Sequence, residues 1–332
     1  MEPKENNSYI KVTLINIKSK FILKKIIQNI KETKMLNIIR YNKKYQNKLN
    51  IDINDYKNKM KIIIELICSG PGKFINRKEL EHFHIYINDN KEEIKSNKVN
   101  EDNNYFYEKN NNKITIIIDY EIKSFDELFK DCSNIRKISF KKFMREDIIS
   151  IRKMFDLCQN LEEIDFTNFK TNNVTNMFGM FFGCFKLAEI NLSNFNTDNV
   201  TDMGHMFYKC TSLKNINFSN FNTENVKNMS QMFNGCKSLK ELDISNFNTS
   251  NVTDMNHMFC GCKSLEKLNF SFNINKELKT DDMFKDCILL KNKEEFQTKK
   301  KMNNKKVNKK DNKKDNKKDN KKDNKKDGCL CF

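Results

Sequence analysis

Asn251-Val252-Thr253-Asp254-Met255-Asn256-His257-Met258-Phe259-Cys260-Gly261-Cys262 is the stretch that decides the fold. Its apolar residues Val252, Met255, Met258, Phe259 and Cys262 fall at i, i+3, i+6, i+7 and i+10, a helical spacing. Asn251 suits a cap and Asp254 lies near the positive end, so the stretch predicts a short helix or helical turn. Just upstream, Leu239-Lys240-Glu241-Leu242-Asp243-Ile244 alternates apolar and polar residues after an anchoring leucine, which predicts a short strand with one buried face. The pair recurs. Cysteines stand at 132, 158, 184, 210, 236, 262 and 287, five gaps of 26 residues and one of 25, and a phenylalanine three residues before each cysteine keeps the same interval. A repeat of that length marks a solenoid, whose units bury their apolar sides on one another. The predicted fold is α/β: a solenoid of about seven coils over 125–290, with strands at 135–140, 161–166, 187–192, 213–218, 239–244 and 265–270.

The strings Phe195-Asn196-Thr197-Asp198-Asn199-Val200-Thr201-Asp202-Met203 and Met232-Phe233-Asn234-Gly235-Cys236-Lys237-Ser238-Leu239, with the L-x-x-L-x-L strand spacing, resemble the BspA-like leucine-rich-repeat family. That family includes bacterial and mycoplasma surface proteins and large sets in protists. The resemblance covers about half the chain and implies a binding role, often adhesion or partner contact, with no enzyme activity.

The repeated cysteines share a column with buried apolar residues, so they are expected to act as small hydrophobic core residues rather than disulfide or metal partners. No C-x-x-C pair or His/Cys set with zinc spacing occurs, and no metal or cofactor is expected. Eleven cysteines without an export signal suggest a reducing compartment.

From Lys299 to Asp327 the chain is almost entirely Lys, Asn and Asp, with four Lys-Lys-Asp-Asn repeats at 309–324 and a closing Lys-Lys-Asp-Gly. Such a segment buries no core, so 291–328 is expected to be a disordered basic tail. It runs into Cys329-Leu330-Cys331-Phe332, a C-a-a-X pattern that makes Cys329 a candidate prenylation site, with Phe332 favouring geranylgeranyl. One lipid chain holds a membrane only reversibly, and neighbouring lysines facing an anionic leaflet supply the second signal. The charge lies where that reading needs it. Residues 291–332 carry 17 lysines against 7 acids, while 128–290 carry 20 basic and 19 acidic residues, within a chain of net charge +17. A near-neutral repeat region argues against nucleic acid as a partner.

Residues 1–124 read as a small α+β domain or cap, with helices at 19–30 and 34–49 and strands at 60–67, 82–88 and 113–120. His82 and His84 share one side of a predicted strand, a solvated face or, less simply, a metal pair. His205 and His257 occupy one repeat position that is Gly179 and Gln231 elsewhere, which reads as exposed rather than catalytic. No P-loop, dinucleotide fingerprint or nucleophile elbow is found, and no enzyme is expected.

The expected function is a membrane-tethered, non-catalytic repeat protein on the cytoplasmic face of a membrane, most simply the plasma membrane, binding an unknown protein through its coils. On the outward strand positions, Glu162, Glu163, Asp165 and Glu189 form a candidate acidic patch for a partner with basic residues. Two alternatives stand beside it. One is an exposed adhesin of the BspA type. The other is an F-box-like ubiquitin-ligase adaptor in which 19–50 grips a partner.

Overall fold

The computed structural model describes residues 61–99, 112–120, 122–270 and 278–294, with 43, 47, 58 and 60 as isolated positions. The helix expected at 19–30, the basic tail beyond 294 and the Cys329 motif lie outside the described residues, and of the helix expected at 34–49 only positions 43 and 47 are described, both helical.

Three N-terminal strands alternate inward and outward side chains along their length: β1 (Ile62–Cys68), β3 (Phe83–Ile87) and β5 (Asn112–Ile118). Ile62, Ile64, Leu66 and Cys68 are buried at every second position, as a one-sided strand requires. All three fall where the sequence places them. Between them, β2 (Gly72–Lys73) and β4 (Lys98–Val99) form a two-residue antiparallel pair. The main sheet has the order β3-β5-β1-β6-β7, where β6 is Ile135–Lys142 and β7 is Glu163–Asp165. β1 runs antiparallel to both β5 and β6, and β6 runs parallel to β7. The N-terminal sheet therefore continues without a break into the repeats.

Four further short strands continue the pattern, β8 (Glu189–Ile190), β9 (Asn215–Ile216), β10 (Glu241–Ile244) and β11 (Lys267–Phe270). The parallel pairings from β6 to β11 join residues 26 apart, as in Lys137↔Glu163, Glu189↔Asn215 and Glu241↔Lys267. A second column of parallel bridges runs Ser124, Ser150, Asn176, Asp202, Asn228, Asp254 and Lys279. The chain thus winds in superposed coils, and all six strands expected in the repeats are present, mostly shorter than expected.

The helical half of the expectation is corrected. Among the described residues regular structure is almost all strand, and 251–262 and its equivalents are runs of turns. The reason lies in where the backbone N–H groups go. Met229, Gln231, Phe233 and Gly235 donate to the carbonyls of Asp254, Asn256, Met258 and Cys260 on the next coil, whereas Met232, Asn234 and Cys236 donate three residues back. An α-helix would spend all of them within its own segment. Alternating them ties the coils together, and it needs two left-handed residues per coil: Gln231 and Gly235 here, His257 and Gly261 in the next.

Candidate functional site

The interior consists of columns. Phe129, Phe155, Phe181, Phe207, Phe233, Phe259 and Phe284 form an unbroken stack with centroid spacings of 5.3–5.7 Å and interplanar angles no larger than 14°. Beside it, the column cysteines are free and buried. From Cys158 onward each thiol donates to a phenylalanine carbonyl of the preceding coil: Cys158 to Phe129 at 3.0 Å, Cys184 to Phe155 at 3.2 Å, Cys236 to Phe207 at 3.1 Å, and so on to Cys287 and Phe259 at 3.0 Å. Burial raises every one of these thiols, Cys287 to about 11, so they stay protonated and keep donating.

The corners are built from short polar side chains. Asp165, Asn191, Asn217 and Asp243 each accept from the backbone N–H two residues on, at 2.9–3.0 Å, where the chain leaves the strand. Asn176, Asp202, Asn228 and Asp254 do the same where it enters the turns. These are Asx turns. Asn199, Asn225 and Asn251 each donate to the carbonyl 27 residues earlier. Buried Thr171, Thr197 and Thr223 each donate to a carbonyl 25 residues on.

On the outward strand face, the four acids singled out by the sequence lie together. Glu163 and Asp165 are on β7, with Glu162 just before it, and Glu189 is on β8. Each is engaged by a neighbour. Arg136 binds Glu162 at 2.9 Å, Lys137 binds Glu163 at 2.5 Å, Ser139 and Thr167 donate to Asp165, and Asn215 donates to Glu189 at 3.2 Å. The Arg136 hydrogen bond lowers the Glu162 carboxyl below its ordinary value, and the Thr167 bonds do the same for Asp165. Two of the four charges are thus matched by cations one coil away.

The four histidines are placed differently from one another. His82 stacks on Tyr120 at 4.7 Å, and His84 bridges Glu93 at 3.1 Å and Asp119 at 3.0 Å. Among the described residues no group of three or more His, Cys, Asp or Glu is disposed to hold a metal. His205 and His257 are half-buried, not exposed. Their column is a left-handed backbone position, shared by Lys153, Gly179 and Gln231. Burial lowers the His205 pKa.

Sequence reading passed over one surface feature. Phe178, Phe182, Phe185 and Tyr208 are half-exposed on the turn side of coils three and four. Phe178 meets His205 at 4.8 Å and Phe182 stacks on Tyr208 at 4.5 Å. The signal was available: aromatic residues where the neighbouring repeats mostly carry polar ones, Arg152, Ser230 and Asn256 in one column and Asp156 and Asn234 in another.

No helix among the described residues is long and apolar enough to cross a membrane. No curated protein matches the chain. The model of one family, described as "Mycoplasma protein of unknown function, DUF285", matches residues 123–239 and again 213–322. Those two stretches take in all the superposed coils and more than half of the sequence, and the chain belongs to this repeat family.

Proposed function

We propose that this chain is a non-catalytic protein-recognition module of the BspA-like leucine-rich-repeat type, held at the cytoplasmic face of the plasma membrane by a prenylated basic tail. One observation carries the recognition reading. The inward phenylalanine and cysteine columns keep one residue type and the inward strand column stays Ile or Leu, while the outward strand column runs Lys137, Glu163, Glu189, Asn215, Glu241, Lys267. A constant frame displaying a varied row of side chains is the arrangement a repeat protein uses to read a partner. Two inputs support the tethering: the Cys329 motif and the lysine-rich run before it, a lipid and a polybasic signal together. The acidic group Glu162, Glu163, Asp165 and Glu189 is the proposed strand-face contact for a partner with basic residues.

The test is fractionation of cells expressing the parent and the Cys329→Ser chain, with mass spectrometry of the C-terminal peptide. The expected result is a prenylated Cys329 in the parent and transfer of the variant to the cytosol. A variant that sediments with membranes as the parent does, or an unmodified C-terminal Phe332, overturns the tether. Cleavage of the coils by protease added to intact cells favours the adhesin instead.

A further inference from the structure

We propose that the turn-side aromatic cluster of coils three and four is a docking site for an acidic polypeptide segment carrying an aromatic or aliphatic anchor. This rests on reading the coils as a recognition scaffold and adds a second contact face to it.

The stack does not need these rings. Phe178 and Phe182 lie outside the buried core, and their columns carry Ser230 and Asn234 in coil five with the same backbone hydrogen bonds: Met229 and Gln231 bond to coil six as Met177 and Gly179 bond to coil four. What the rings do is meet one another. Phe178 lies 4.8 Å from His205, His205 lies 5.4 Å from Tyr208, and Tyr208 lies 4.5 Å from Phe182. That is a contiguous half-exposed aromatic surface of the kind enriched at binding hot spots.

Its rim is positive. Arg152 lies over Phe178 at 5.8 Å and Lys209 over Tyr208 at 5.2 Å. Lys209 is exposed and forms no ion pair among the described residues, while Lys186, next in sequence to Phe185, is exposed and lies near Glu162. Of the acids beside the rings, Glu127 is bound by Arg152 at 3.2 Å, Asp156 is buried 3.7 Å from Lys153, and Asp202 accepts from the Gly204 N–H and from Asn228. An apolar centre with Arg152 and Lys209 at its edge complements an acidic partner. The rings already carry one another, Arg152 and Lys209, which disfavours single-stranded nucleic acid, whose bases need free ring faces to stack on.

The full chain is immobilised and a phage-displayed random peptide library is selected on it, then the enriched peptides are titrated by fluorescence anisotropy. Phe178→Ser and Phe182→Asn, singly and together, place in coil three the residues that coil five tolerates, and thermal melting confirms that the stack survives. Enriched peptides should be acidic with at least one aromatic or aliphatic anchor. Their binding should weaken by about tenfold or more in the double variant, weaken with added salt, and persist after charge reversal at Glu162, Glu163, Asp165 and Glu189. Enriched peptides that are basic, or whose binding is lost on strand-face charge reversal and not in the double variant, overturn this site and leave the recognition role standing. Displacement of the peptides by a single-stranded oligothymidine also overturns it. No enrichment on the full chain counts against both.

Discussion

Phe233 shows why one residue type recurs at one position. It is fully buried and lies between Phe207 at 5.6 Å and Phe259 at 5.7 Å, with its ring within 4° of both. Removing it leaves a hole lined by two rings that backbone hydrogen bonds hold apart, so the site cannot collapse. Phe233→Ala is expected to cost about 3–5 kcal/mol, read as a shift of the urea unfolding midpoint. A loss no larger than that of a surface substitution would place Phe233 elsewhere. The cysteines follow a different logic. Serine would match the hydrogen bond, and alanine would match the apolar surroundings. Cysteine does both, because a buried thiol packs as a small hydrophobe and still donates weakly. The asparagines also have local work. In the coils they turn the corners and bond to carbonyls of neighbouring coils, so their abundance there follows from geometry.

At the scale of the element, the strands were legible and the turns were not. Strand positions rest on a period of two and on the repeat interval, and both appear directly in the sequence. The turn segment reads as a short helix or helical turn because apolar residues at i+3 and i+7 also result when every second N–H bonds three residues back. The distinguishing mark was the glycines. Gly179 and Gly183 stand four apart, both with φ above +59°, and two left-handed residues that close rule out a continuous helix. Non-glycine residues at the same places in other coils hid the rule. The clustering of Phe178, Phe182 and Tyr208 was hidden for a related reason: which face a residue takes depends on that backbone path. Gly183→Ala tests the account. Its φ is 68°, and a Cβ there would lie 2.8 Å from Leu157 Cδ2. Leu157 can yield, but the backbone cannot, so the expected loss is about 1–2 kcal/mol. Gly70→Ala, which meets nothing within 4 Å, serves as the neutral control. Equal melting temperatures for the two variants would contradict the left-handed assignment.

At the scale of the molecule, a stack of coils has two ends, and an open strand edge invites association. Here β1 covers the first coil by pairing antiparallel with β6, which joins the N-terminal segment to the repeats as one sheet. That continuity, between a non-repeated segment and the first repeat, has no signature in the sequence.

The coils share one chemical liability as well, the thiols held in their common interior. The ordinary thiol value is 9.0, and burial raises Cys287 to about 11 and the deeper column thiols further; Cys68 on β1 is likewise raised, to about 12. The folded state therefore keeps protons that the unfolded chain gives up above about pH 9. The sign follows: this contribution is fully present below the unfolded value and is lost as pH rises towards the folded ones. Each such thiol costs about 1.4 kcal/mol per pH unit in that window, and the column repeats the cost in coil after coil. The urea midpoint is expected to be insensitive to these thiols up to about pH 8 and to fall steeply above about pH 9. Cys236→Ala should shallow that fall by about one proton, because it removes one titrating group from the column. Native-state thiol labelling gives an independent reading: half-exposed Cys260 should react, and the column cysteines should react only on unfolding. A midpoint that stays level through about pH 10.5, or column thiols labelled as fast as Cys260, would mean that the cysteines do not line the interior.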